Sequence, residues 1–190
     1  MPFTLQAQRL SARISNPGIE EATDADDQFL DLINGMILAS PKGPVLNPLA
    51  HRVLNQAEIT IADSMITGLK QALIEGKASL GRTTGGNIAP TFGTVGHPDE
   101  KRLAKSSSYI KIKKHWWGFR IYLSHQCVQD LTAAGTGAAG VLTTCGVSAW
   151  VAALVLACVG ALAGFDKGKG VTLSFFWSGA LIWIHSGKHL

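Results

Sequence analysis

The sequence predicts an α+β fold in which a helical N-terminal unit precedes a β-α-α-β-β unit. Three observations lead to this prediction. Apolar residues recur at helical spacing through the first 80 residues, and they alternate at strand spacing in two later stretches. Between those stretches, residues 131–165 contain no charged side chain and are rich in Ala and Gly. This charge-free segment predicts an apolar helical hairpin that lies on a small antiparallel sheet.

The first 80 residues predict a helical domain. Residues 1–18 are expected to be irregular, because they end in the turn signal Asn16-Pro17-Gly18. A helix with an acidic first turn is predicted over 20–40, and a second helix over 47–77. Two amphipathic helices cannot cover each other alone, so this domain is expected to pack on the rest of the chain or on another copy.

A linker is predicted over 81–108, since this stretch is rich in Gly, Pro, Ser and Thr. The second domain then covers 109–190. Within it, Phe119, Ile121 and Leu123 alternate with more polar residues, and this alternation indicates a strand.

Two helices and two strands are predicted after that strand. Ser124 is a good cap for a helix over 125–144, and Ser148 is a good cap for a helix over 149–164. The alternating stretches VTLSFFWS and LIWIHS then predict the last two strands, which are joined by a short turn.

Charge is distributed unevenly along the chain. Lys and Arg number 17 and Asp and Glu 13, which leaves a net charge of +4. Residues 1–98 hold seven basic and nine acidic residues (net −2), and residues 99–190 hold ten and four (net +6). A basic C-terminal half predicts an anionic partner, either a membrane or a nucleic acid. The three cysteines form no disulfide framework, and the N-terminus has no secretory signal pattern.

The charge-free segment is long enough to suggest entry into lipid. As one helix it would span about 52 Å, whereas a bilayer core is about 30 Å thick, so a hairpin that enters and returns is the natural arrangement. Glycines on both helices permit close helix packing in lipid. The predicted insertion residues are Val151, Leu154, Val155, Leu156, Val159 and Leu162, and the predicted helix-packing residues are Gly135, Gly137, Gly140, Gly160 and Gly164.

Aromatic and basic residues flank this segment. Tryptophan and tyrosine favour membrane interfaces, and basic residues are attracted to anionic headgroups. The predicted interface residues are Trp116, Trp117, Phe119, Tyr122, Phe176, Trp177 and Trp183. The residues predicted to bind an anionic surface are Lys105, Lys111, Lys113, Lys114, Arg120, Lys167 and Lys169.

Residues 115–187 resemble, in composition, the small cationic bacteriocins and pore-forming toxins of bacteria. The resemblance rests on His115-Trp116-Trp117-Gly118, the glycines of 135–140, the apolar helix 151–164 and the glycines of 168–170. It implies a membrane-active protein whose hairpin inserts into an anionic membrane, with several copies needed for permeabilisation. The helical first half would keep the chain soluble or deliver it, with or without a shielding protein. The chain is expected to be released or delivered in soluble form and then to associate with a membrane.

A second interpretation stays open, in which the hairpin is a buried core and the chain is a structural or interaction protein that self-assembles. Leu154→Asp would then prevent folding rather than membrane entry.

Other functions have weaker support in the sequence. Lys111 to Lys114 lack the motifs of nucleic-acid-binding domains, the histidines and Cys127 lack metal-ligand spacing, and no pattern indicates a catalytic site. The sequence therefore predicts a non-enzymatic protein without cofactor or metal.

Overall fold

The computed structural model describes residues 3–15, 19–83, 85–93 and 108–187, and its mixture of helices and strands confirms the α+β class. The helices are α1 (Thr4–Ser15), α2 (Asp24–Met36), α3 (Ala50–Val53), α4 (Gln56–Ile74), α5 (His125–Ala134), α6 (Ala138–Thr144) and α7 (Ala149–Phe165). The strands are β1 (Ile37–Ser40), β2 (Gly43–Leu46), β3 (Ala78–Arg82), β4 (Ile88–Phe92), β5 (Ile110–Lys114), β6 (Gly118–Leu123), β7 (Val171–Phe176) and β8 (Leu181–Ser186).

A four-stranded antiparallel sheet, in the order β5-β6-β7-β8, forms the middle layer. Helices α5, α6 and α7 pack on one of its faces around Phe119, Ile121 and Leu173. Helices α1, α2 and α4 pack on the other face, around Trp117 and Trp183. The sheet is therefore buried on both sides, and all six residues of β7 are buried.

The first half differs from its predicted outline in three places. Residues 4–15 are helical rather than irregular, because the buried Ala7 and Leu10 anchor α1 on the core. The helix predicted over 20–40 ends at Met36, and the next four residues pair with β2. The helix predicted over 47–77 is divided, since a capping box between Asn55 and Glu58 starts α4 at Gln56.

The predicted linker over 81–108 carries part of a β-hairpin. Strands β3 and β4 pair antiparallel, and the buried Phe92 joins the core beneath α5–α7. Residues 94–107 of the predicted linker lie outside the described part of the chain.

The second half contains two strands before the helices and three helices between the strand pairs. Ser124 and Ser148 cap α5 and α7, as predicted. The helix predicted over 125–144 is broken at Gly135, whose φ of +50° is a conformation that a helix cannot continue through. A short 3₁₀ turn, Gly135–Gly137, separates α5 from α6.

Candidate functional site

The outward sides of α6, α7 and the last turn of α5, within residues 131–165, form a surface without charge, which we call the neutral helical face. No Asp, Glu, Lys or Arg occurs in residues 131–165, so the layer carries no charge beyond Asp130, which lies near the middle of α5 and accepts a hydrogen bond from Tyr109. The exposed side chains are small. They include Ala133, Ala139, Ala149, Ala153, Ala157 and Ala163. A surface without charge over three neighbouring helices is unusual, because folded domains normally expose their charged side chains.

The predicted helix-packing glycines lie on this face and do not join helices within the chain. A Cβ added at Gly135, Gly140, Gly160 or Gly164 would meet no atom within 4 Å, and one at Gly137 would only touch Ala134 at 3.9 Å. A glycine inside a helix costs about 0.5–1 kcal/mol relative to alanine. Gly140, Gly160 and Gly164 are therefore helix-weakening residues that the packing of the chain does not require, whereas Gly135 serves the turn between α5 and α6 through its φ of +50°.

An apolar cleft of about 390 Å³ adjoins the neutral helical face. Leu154 and Ala157 of α7 line one side, and Phe175 and Leu181 of the sheet line another. The cleft lies beside the turn at Gly179, where an added Cβ would be 3.2 Å from the Leu154 side chain. The face therefore includes a recess with apolar walls.

The predicted insertion residues divide between core and surface. Val151, Val155 and Leu162 are fully buried against the sheet. Leu154, Leu156 and Val159 are half-buried. Among the described residues, no helix combines the length and the apolar character that a bilayer crossing requires.

The predicted membrane-interface aromatics lie mostly in the core of this fold. Phe119, Trp117, Trp177 and Trp183 are at most 1% exposed, and Phe176 is also buried. Trp116 and Tyr122 are half-buried. The five buried rings could meet a membrane interface only if the helical layers moved, whereas Trp116 and Tyr122 are partly accessible in this conformation.

The residues predicted to bind an anionic surface differ in their exposure. Arg120 is buried and forms an ion pair, whereas Lys113, Lys167 and Lys169 are exposed. Lys111 and Lys114 are half-buried on β5. Lys105 lies outside the described residues.

Sequence reasoning missed a buried charged cluster on the sheet face below α2. Arg120 Nη2 donates to Asp27 Oδ1 at 2.6 Å, and His185 Nε2 lies 3.1 Å from the same oxygen. The Arg120 side chain is 5% exposed and that of His185 3%. The alternation of residues along the strand could have revealed this cluster. Arg120 lies on the same face of the sheet as Ser174 and Trp183, which are its neighbours across the strands. Asp27 belongs to the acidic first turn of α2, and its carboxylate reaches into the sheet.

A second ion-pair group holds α1 over this cluster. Arg9 bonds to Asp26 and to Glu20, both at 2.7 Å, and its guanidinium lies 5.3 Å from the Trp183 ring centroid. Arg13 also pairs with Glu20. The contact between the first helices and the sheet thus depends on charge pairing as well as on apolar burial.

His115, in the turn between β5 and β6, stacks on Trp117 with 4.8 Å between ring centroids. Burial, together with the positive charges of Arg120 and Lys113, lowers the pKa of His115 to about 3 against the opposing effect of Asp27. Above the unfolded pKa of about 6.5 the histidine is neutral in both states. Below it, the unfolded chain binds a proton that the folded chain does not, so the stability contributed by neutral His115 is lost as the pH falls from 6.5 towards 3.

We therefore expect His115→Gln to reduce the acid sensitivity of the fold. Between pH 6.5 and 5.5 the free energy of unfolding of the wild-type chain should fall by about 1 kcal/mol more than that of the variant. Urea titrations of both chains at several pH values measure this difference. Parallel pH profiles for the two chains would contradict the prediction.

Comparison of the chain with protein-family models, with curated proteins and with solved structures finds no match.

Proposed function

We propose that this chain is a non-enzymatic interaction protein that self-associates through the neutral helical face. The observation that carries the proposal is the outward position of the helical glycines Gly140, Gly160 and Gly164, where an added Cβ would meet no atom within 4 Å. Rows of glycine allow two helices to approach closely, and this stabilises an assembly only if another helix packs against the glycines.

A second copy of the chain is the partner that the chemistry of this face fits best. In a symmetric dimer each surface meets its own copy, so a charged patch would repel itself whereas a neutral patch does not. The apolar cleft beside Leu154 offers a recess for a side chain of the opposing copy. The charged residues that flank the segment, Asp130 and Asp166, are both engaged within the chain, with Tyr109 and His125 respectively.

Ala153→Glu should convert the assembled protein to monomers. Ala153 is exposed on α7, so the variant should fold, but each copy would bury a carboxylate in the interface, at a cost of several kcal/mol. Sedimentation velocity over a range of concentrations measures the change. Ala12→Glu, at an exposed alanine of α1, is the matched control and should assemble like the wild type. A wild-type chain that is monomeric at all concentrations would refute the proposal.

Gly160→Ala should have opposite effects on folding and on assembly. The alanine removes a helix-weakening glycine, so the free energy of unfolding of the monomer should rise by about 0.5–1 kcal/mol. The same methyl group would separate two closely packed helices and so weaken self-association. Gly35→Ala on α2, also exposed with open space around it, should stabilise the chain without affecting assembly. Equal effects of the two substitutions on assembly would argue against this use of the glycines.

Membrane association is the second candidate, and the exposed lysines at the end of the neutral helical face favour it. Lys167 and Lys169 follow α7, and Lys167 is 65% exposed even though it contacts Glu21. Approach to an anionic membrane would bring the charge-free helices to the lipid surface, and their insertion would require α5–α7 to leave the sheet. The first half, packed on the opposite face, would keep the chain soluble until then.

Flotation of the full chain with anionic and neutral liposomes, read together with dye leakage, tests this candidate. Flotation and leakage that depend on anionic lipid would support it. A chain that assembles in solution and does not float with either liposome would leave self-association as the function.

A further inference from the structure

The helices on the two faces of the sheet are attached to it in different ways. Helices α5–α7 pack on it through an apolar cluster around Phe119 and Leu173. Helix α4 is anchored in the same cluster, to which its Leu69 and Ala72 belong. The rest of the opposite layer consists of α1, residues 19–23 and α2, and we call it the N-terminal cover. Charged side chains lie in its interface with the sheet.

The parts of the cover are joined to each other by charge pairs. Arg9 and Arg13 of α1 both bond to Glu20, and Arg9 also bonds to Asp26 of α2. A capping box between Thr23 and Asp26 fixes the start of α2. All these contacts lie within the cover, so they persist when the cover moves as one body. Proteins commonly open in such cooperative units, whose opening costs less than unfolding the whole chain.

The contacts between the cover and the sheet include several polar ones. Besides the buried ion pair of Asp27, the Oδ1 atom of Asn34 accepts a hydrogen bond from Trp116 N at 2.7 Å. Backbone groups of residues 20–22 bond to Ile184 of β8 at 2.9 and 3.0 Å. Water can take the place of each of these partners when the cover separates, so losing such bonds costs less than losing apolar contacts.

The same interface holds buried polar atoms that have no partner within the closed fold. Of the described residues, eight have such an atom, three of them in the cover and five on the sheet side, namely His115, Trp117, Arg120, Ser174 and Trp183. None of the eight belongs to α5–α7. Separation of the cover admits water to all of them and so recovers hydrogen bonds.

His115 is 7% exposed within this interface. The charged groups that act on its ring are Arg120 and Lys113 from the sheet and Asp27 from the cover. His185 lies beyond Asp27, with its Nε2 atom 3.1 Å from Asp27 Oδ1. The remaining acids of α2 are exposed or paired within the cover. The surroundings of His115 therefore carry more positive than negative charge, and they disfavour its protonation.

Opening of the cover changes the proton affinity of His115. In the closed fold, burial and the two positive charges hold its pKa at about 3, whereas a histidine in water has a pKa of about 6.5. Between these two values the open state binds a proton that the closed state does not. A fall in pH therefore favours the open state, by up to about tenfold in the equilibrium constant for each pH unit.

We propose that the N-terminal cover separates from the sheet as a unit at acidic pH, with His115 as the trigger, while α5–α7 stay in place. Phe29 and Leu30 of α2, buried in one cluster with Trp117, keep the cover closed at neutral pH. Separation uncovers a sheet face that carries Trp117 and Arg120, both of which the closed fold buries. The cover thus controls access to this face.

Hydrogen–deuterium exchange of the full chain at pH 7.5 and pH 4.5, measured by mass spectrometry and corrected for the intrinsic rate at each pH, tests the proposal. Peptides from α1 and α2 should lose protection by about a hundredfold, because two of these three pH units lie below the pKa of the open state. Peptides from β6, β7 and α7 should keep their protection.

His115→Gln removes the titrating group, so the same pH change should alter the protection of the cover by less than about threefold. His51→Gln, at an exposed histidine of α3, is the matched control and should retain the hundredfold change. The proposal is overturned if the cover keeps its protection at pH 4.5, if β6, β7 and α7 lose protection by the same factor, or if the two variants behave alike. The comparison of regions within the wild-type chain needs no variant, so it decides the question even if His115→Gln folds poorly.

Discussion

Asp27→Asn should lower the free energy of unfolding by about 3–5 kcal/mol, which is the usual result of removing one partner from a buried ion pair. Asp27 Oδ1 faces both Arg120 and His185, and the Arg120 side chain is 5% exposed. Without the carboxylate, the Arg120 guanidinium would stay buried next to the Trp117 ring, with no anion to offset its desolvation. Urea denaturation followed by tryptophan fluorescence measures the loss.

The control for this experiment is Asp31→Asn, an exposed aspartate on the same helix, which should change the stability by at most about 0.5 kcal/mol. A double variant, Asp27→Leu with Arg120→Met, should recover most of the stability, since apolar residues of similar volume often replace a buried pair without loss. If Asp27→Asn and Asp31→Asn have the same small effect, the cluster does not hold α2 on the sheet.

Val155→Asp should prevent the chain from folding. Val155 is fully buried on α7, in the core that also contains Phe119 and Phe175. An unpaired carboxylate there costs several kcal/mol, which is comparable to the 5–15 kcal/mol that stabilises a typical domain. Near-ultraviolet circular dichroism reports the outcome directly, because Trp117, Trp177 and Trp183 are buried in the native fold.

Ala153→Asp, two residues earlier on the same helix, is the matched control. Ala153 faces outward, so the variant should keep the native spectrum and lose only the ability to assemble. If Val155→Asp and Ala153→Asp fold equally well, α7 does not pack on the sheet as described. Leu154 is half-buried and lines the apolar cleft. The effect of Leu154→Asp on folding should therefore lie between those of Val155→Asp and Ala153→Asp.

Local patterns predicted much of the secondary structure. The alternation at 119–123 produced a strand, and the serines at 124 and 148 cap helices, because these signals depend on neighbouring residues. The helix at Thr4–Ser15 was missed because its local signal is weak. It is held on the fold by ion pairs from Arg9 to Glu20 and Asp26 and by burial of Leu10.

The candidate surfaces were predicted less completely than the elements. The absence of charge from 131–165 is visible in the sequence, and so are the glycines within it. Which side of each helix faces the sheet is decided by packing, and that packing places Val151, Val155 and Leu162 inward and the glycines outward. The β3–β4 hairpin was not predicted either, since its residues from 81 onward were assigned to a linker by composition.

Composition and short-range periodicity were enough to predict the α+β class, the strand near 119–123 and a charge-free helical segment over 131–165. What covers each face of the sheet depends on tertiary packing. Arg120 alternates with apolar residues in a pattern that indicates a solvated face, and it is buried because Asp27, 93 residues away along the chain, neutralises it. Pairing over such a distance depends on how α2 docks, and no local pattern encodes that docking.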